Sequence, residues 1–166
     1  DEASGLPSKK MYLAGLDYSS SYKNMPYQVY TEWADTRTNG KALGVSYNHS
    51  TYKGGFYQHG YPLAHAMGGD GQMVSVGGDI RIDHMNRLGG RALVAKVNES
   101  GRLTNVAFPE KEEIKALDLT WTHYIKPTLP LKLNAWVSDS DSSNSNSDGG
   151  VSLGIDIPLD QYIFGR

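Results

Sequence analysis

Between residues 53 and 71 the chain gathers Phe56, Tyr57, His59, Tyr61 and His65 in a glycine-rich setting. Aromatic faces stack on flat ligand surfaces, while phenol and imidazole edges meet hydroxyl groups. Residues 98–112 add Arg102, Lys111 and Phe108, two cations and a ring that suit an acidic partner. Both sets also suit plainer roles, because such rings can pack a loop or sit at a headgroup boundary, and charged loops are commonly just solvated. Neither set implies a metal: His59 and His65 lack helical ligand spacing, and no cysteine assists them. Residues 139–149 superficially resemble a calcium loop, but Asn144 stands where that loop needs glycine and Gly150 where it needs its last glutamate. Catalysis has no better support, since no Gly-Xaa-Ser-Xaa-Gly or comparable nucleophile motif is present. The expectation is a binding protein without metal or cofactor, and not an enzyme.

The elements that carry these loops read as strands. Alternation of period two runs through 11–18, where Tyr12, Ala14, Leu16 and Tyr18 share one face, and through 27–33, where Val29 and Trp33 oppose Tyr30 and Glu32. It recurs at 43–47, 73–83, 92–98, 114–125, 131–137 and 151–157, and is weakest at 92–98. That makes about eight strands, each near the nine to eleven residues that cross a bilayer at a barrel's tilt. Asp79, Arg81 and Asp83, with Asp17, Glu32 and Asp118, fall on the faces opposite the apolar stripes. Short connections at 35–41, 84–90 and 126–130 alternate with long ones at 19–26, 53–71, 98–112 and 138–149. Outer-membrane barrels alternate periplasmic turns and external loops in this way, and eight strands put both chain ends on the short-turn side.

Composition narrows the classes. No stretch approaches the roughly eighteen apolar residues of a membrane helix, so a crossing would have to be made by strands. The mean hydropathy of -0.49 is uninformative, because only alternate residues of a barrel strand meet lipid. The 11 tyrosines and 19 glycines favour β structure. The formal charge of -2 excludes a nucleic-acid partner of the usual basic kind. Residues 1–10 are polar and carry no signal peptide, as in a mature form or a piece of a longer protein. A soluble β-sandwich or lipocalin-like barrel shares the alternation, with the apolar stripe turned inward, and periodicity alone does not separate the two. The polar opposite faces and the aromatic strand ends favour the membrane barrel.

Three long motifs carry a family resemblance: Gln28-Val-Tyr-Thr-Glu-Trp-Ala-Asp-Thr-Arg-Thr-Asn-Gly40, Gly60-Tyr-Pro-Leu-Ala-His-Ala-Met-Gly-Gly-Asp70 and Asp118-Leu-Thr-Trp-Thr-His-Tyr-Ile-Lys126. With Trp136-Val-Ser-Asp-Ser-Asp141 and the stretch on to Phe164, the chain closely resembles the Wzi family of capsule assembly proteins over nearly all its length. The resemblance implies an all-β, antiparallel outer-membrane β-barrel of roughly eighteen strands, of which this chain would supply the C-terminal part as one undivided domain. It also implies a surface lectin of a Gram-negative bacterium that anchors and organises capsular polysaccharide. The implied partners are that polymer, outer-membrane lipid and the remaining N-terminal part of the same barrel. Capsule is polyhydroxylated and often acidic, so Phe56, Tyr57, His59, Tyr61, His65, Arg102 and Lys111 become the candidate carbohydrate contacts. A diffusion channel is the alternative that the polar lumen face leaves open, and a self-closing small barrel the alternative to a fragment.

Overall fold

The computed structural model describes residues 10–38, 45–48, 51, 54–101, 105–142 and 147–157. Nine strands follow one another: β1 (Tyr12–Tyr22), β2 (Met25–Asp35), β3 (Tyr57–Gln58), β4 (Tyr61–Pro62), β5 (Gln72–Arg81), β6 (Asn86–Val97), β7 (Glu112–Lys126), β8 (Leu129–Ser140) and β9 (Asp148–Ile155). Seven of them form one antiparallel sheet in the order β1-β2-β5-β6-β7-β8-β9, and β3 with β4 makes a separate two-stranded pair.

The register sorts every side chain onto one of two faces, because directly opposed residues share a face. Leu16, Val29, Val76, Leu88, Leu119 and Leu133 fall on one face, and it continues onto β9 through Val151, Leu153 and Ile155. This apolar face is bare: Leu16 is 77% exposed and Val151 73%. Tyr12 stacks on Trp33 at 6.3 Å near its long-loop end, and Tyr18 meets Tyr27 at 6.3 Å near its short-turn end. Charges then bound it on the loop side: Lys115, in the row of Val74 and Val94, has its Nζ 3.1 Å from Glu113, and Lys96, one row further, has its Nζ 3.8 Å from the same carboxylate. The other face carries Asp17, Glu32, Asp79, Arg81 and Asp118, as the alternation requires.

The connections differ from expectation in several places. The 19–26 segment is not a long loop: β1 and β2 continue into a two-residue turn at Lys23 and Asn24, whose φ values of 49° and 66° are those of a type I′ hairpin turn. The 35–41 segment is not a tight turn but the start of a long connection, 36–71. Residues 45–48 within it are not strand, while 41–44 lie outside the described residues. Asn86 to Gly90 belong to β6, because the turn is made earlier, where the Asp83 carboxylate accepts from the backbone N–H groups of Met85 and Asn86, both at 2.7 Å. Gly89 and Gly90 are strand residues that only look like a turn. Long and short connections still alternate. With seven strands instead of about eight in the sheet, the start of β1 lies at the long-loop end and the end of β9 at the short-turn end. β1 and β9 therefore run in the same direction, and among the described residues they are not paired with each other and leave the sheet open at both edges.

Candidate functional site

The polar face has two ends. At the long-loop end it turns apolar: Ala34, Met73, Leu93, Ala95, Val97 and Ile114 form a platform on β2, β5, β6 and β7, against which Met67 from loop 36–71 and Phe108 from loop 98–111 are packed. Weak alternation at 92–98 now has its cause, since both faces of β6 are apolar there, one bare and one covered by loops.

A polar knot ties the two loops above this seat. Thr36 and Gly71 bond reciprocally, with Thr36 N–H donating to Gly71 O at 2.8 Å and Gly71 N–H to Thr36 Oγ1 at 3.0 Å. Asn105 crosses from the second loop to the first: its amide donates to Gly69 O at 2.7 Å, and its Oδ1 accepts from Tyr57 OH at 3.3 Å and from Phe108 N–H at 3.1 Å. Asp70 is 2% exposed and accepts from Ser100 N–H at 2.7 Å. Arg37 binds Asp35 at 2.6 Å and reaches Glu99 at 3.4 Å, and the Asp35 carboxylate raises its already high pKa further.

The aromatic residues expected to bind are divided by this packing. Tyr57 and His65 turn inward. The Tyr57 ring lies 5.9 Å from that of Tyr47, and burial pushes its phenol up from the ordinary value. His65 N–H donates to Tyr47 OH at 2.7 Å, its Nδ1 accepts from Met67 N–H at 3.3 Å, and its Nε2 stands 3.7 Å from Glu32 Oε1. Phe56, His59 and Tyr61 turn outward on or beside the β3–β4 hairpin, Tyr61 being 76% exposed. His59 holds a φ of 51° in the hairpin turn next to Gly60. Lys111 is exposed just before β7, Phe108 belongs to the loop seat, and Arg102 lies outside the described residues. Tyr47, Asn105 and Thr36, which organise the loops, carry no sequence signal that separates them from ordinary loop residues. Among the described residues no three His, Asp or Glu side chains converge as a metal site.

At the short-turn end nothing among the described residues covers the polar face. Arg87 grips Asp79 with two bonds of 2.7 and 3.0 Å, and Arg91, Asp118, Thr120 and Lys132 surround a cavity of about 460 Å³. Arg87 and Arg91 were hidden in the sequence by the Gly-Gly pair between them.

The sequence profile described as Capsule assembly protein Wzi matches residues 1–151. The chain belongs to the Wzi family. A protein of Klebsiella pneumoniae described as an uncharacterized 55.8 kDa protein in the cps region is 37% identical over 96% of this chain and 31% of its own length. The solved Wzi of Escherichia coli, described as an outer membrane protein involved in group 1 capsule assembly and a carbohydrate-binding β-barrel, is 38% identical. It superimposes with a TM-score of 0.81 over 95% of this chain and 36% of its own. This Wzi-family chain thus spans about a third of the length of the relatives it matches, and its open antiparallel sheet corresponds to part of a β-barrel.

Proposed function

We propose that this chain is part of an outer-membrane β-barrel of a Gram-negative bacterium, and that its external loops bind capsular polysaccharide and help to anchor it at the cell surface. The observation that carries the reading is the 38% identity and 0.81 TM-score to a barrel described as carbohydrate-binding. Three features of the chain support it.

The apolar face is a contiguous band of exposed Leu, Val and Ile bounded by aromatic side chains, a pattern that water does not tolerate on this scale and lipid does. The sheet strands are 8 to 15 residues long, enough to cross a hydrocarbon core when tilted. Among the described residues the edges β1 and β9 have no strand on their outer sides, and in lipid their backbone groups must be met by further strands of the same barrel.

Sugar binding is assigned to the loops. Phe56 and Tyr61 supply rings for stacking, His59 a polar edge, and Lys111 with Arg102 positive charge for an acidic polymer. Tyr57 and His65 act one step back, holding the loop that presents the others. Each contact is weak, and many barrels gripping one long polymer bind it by avidity. A diffusion channel is favoured by the open polar end of the lumen face, and single-channel conductance of the full-length protein distinguishes it.

The test is binding of purified capsular polysaccharide to the detergent-solubilised full-length protein, with an unrelated polysaccharide as control. Selective binding that falls about tenfold or more in Phe56→Ala/Tyr61→Ala supports the reading, that loss being the size of stacked rings worth about 1.4 kcal/mol. Equal binding of both polymers, or none, overturns it.

A further inference from the structure

The knot that joins the two long loops contains a carboxylate with too few partners. Asp70 is 2% exposed, and its backbone is pinned on both sides. Its N–H donates to Ser46 Oγ at 3.0 Å, its carbonyl accepts from Glu99 N–H at 3.1 Å, and a Cβ at the neighbouring Gly69 would collide with the Ser46 carbonyl. These contacts hold Asp70 at a φ of 66° with its side chain turned inward. Oδ2 accepts from Ser100 N–H at 2.7 Å, but Oδ1 has no hydrogen-bond partner, and neither has Ser100 Oγ. Both atoms are buried within this chain, so strands beyond β1 and β9 have no path to them.

A buried charge is costly unless another group meets it, and an orphaned buried oxygen calls for a water or an ion. The surrounding charge sharpens the need. Asp35, Asp70 and Glu99 belong to one knot, and Arg37 is the cation bonded within it. That guanidinium lies 2.6 Å from Asp35 and 3.4 Å from Glu99, and it makes no bond to Asp70. A water would have to stand about 2.7–3.0 Å from Oδ1, where the packing leaves it no room. A hard cation binds a carboxylate oxygen at about 2.3–2.6 Å, inside that distance.

We propose that Asp70 Oδ1 and Ser100 Oγ are ligands of a calcium ion that clasps loop 36–71 to loop 98–111. Calcium takes its oxygens in a flexible geometry that accepts hydroxyls and loop carbonyls, whereas magnesium demands a near-ideal octahedron and gives up its waters reluctantly. One carboxylate is a sparse charge for such a site, in keeping with the lack of any three-acid cluster among the described residues. Its affinity therefore belongs at the weak end of calcium sites, about 10⁻⁴–10⁻³ M. The two ligands are 30 residues apart and lie outside both the His59–His65 pair and the acidic run at 139–149, so no sequence motif announces them. Calcium then sets how firmly the loop carrying Phe56, His59 and Tyr61 is held, whatever those side chains bind.

The experiment uses the full-length protein in detergent, freed of divalent ions by a chelator, with calcium or magnesium alone as the probe. Amide hydrogen exchange in 54–71 and 105–111 is the readout. Calcium at about ten times its dissociation constant is expected to slow exchange there about tenfold, because it binds the closed loops and not the open ones. Magnesium at the same concentration is expected to protect less. Asp70→Asn keeps the size of the side chain and suits a left-handed backbone, and it is expected to abolish the calcium response and to bind one calcium fewer by titration calorimetry. Ser100→Ala keeps the charge and is expected to need several-fold more calcium for the same protection. No response in the wild type, the same response in Asp70→Asn, or equal protection by magnesium overturns the proposal. None of these results bears on the lectin reading, which polysaccharide binding tests separately. Should Asp70→Asn fail to fold, Ser100→Ala gives the second reading: a calcium dependence moved to higher concentration supports the site, and an unmoved one overturns it.

Discussion

The two ends of the polar face use the same strands for opposite purposes. At the long-loop end β5, β6 and β7 offer Ala95 and Val97, which are buried, and Met73 and Ile114, which are partly so, because Met67 and Phe108 of loops 36–71 and 98–111 pack against them. A few residues along the same strands the face offers Asp79, Arg87, Arg91 and Asp118, and nothing among the described residues covers them. One strand thus fastens the loops at one end and leaves a charged surface at the other. The lesson is that this polar face is not uniformly polar, and its apolar patch marks where the loops are seated.

That contrast can be broken most severely at the seat. Val97 is 1% exposed, and Val97→Asp buries a carboxylate with no partner, so the barrel should lose stability on the order of 4 kcal/mol. Thermal melting in detergent checks this, and a melting temperature unchanged from wild type would mean that the loops do not rest on β6. Asn105→Ala comes next. It removes the side chain that joins Gly69, Tyr57 and Phe108, and about 2 kcal/mol should be lost from loop ordering alone. Faster limited proteolysis in 54–71 and 105–111, with amide exchange of the strands unaltered, is the expected pattern.

High pH acts on the same knot more gently. Folding raises the Tyr57 pKa, so the phenol of the ordered loop keeps its proton when that of the disordered loop has already lost it. This contribution is complete below the ordinary value of about 10 and declines as pH climbs from there through the higher folded value. Loop protection against protease should follow that window, and Tyr57→Phe should abolish the pH dependence. At the open end the smallest effect is expected. Arg91→Gln removes no ion pair among the described residues, and stability should stay within about 0.5 kcal/mol of wild type.

The strands were legible because setting an apolar face against a polar one imposes period two, and the assignment of Asp17, Glu32, Asp79 and Asp118 to one face agrees with the observed register. What misled was punctuation. Lys23-Asn24 makes a two-residue turn without glycine or proline, so the polar residues around it read as a loop, while Gly89-Gly90 read as a turn inside a strand. The 43–47 alternation makes no strand at 45–47, where Ser46 and Tyr47 bond within the loop, while residues 43 and 44 lie outside the described residues. Of the aromatic set at 56–65 the sequence could name the members but not separate the half-buried Tyr57 and His65, held by Tyr47 and Asn105, from the exposed Phe56, His59 and Tyr61, although Phe56 also meets Tyr47 edge-on at 6.4 Å. The partners that decide this are Tyr47, 10 and 18 residues back in the same loop, and Asn105, 48 residues on from Tyr57 in the other.

The account stands on the claim that one face of the sheet meets lipid and the other does not. Single spin labels placed in turn at 117, 118, 119, 120, 121 and 122 of β7, in the full-length protein reconstituted into bilayers, test it most directly. Labels replacing Leu117, Leu119 and Trp121 are expected to collide with membrane-dissolved oxygen, and those replacing Asp118, Thr120 and Thr122 with a water-soluble relaxation agent, in strict alternation. A uniform profile, or one with the two sets exchanged, would contradict the barrel orientation on which the lectin reading depends.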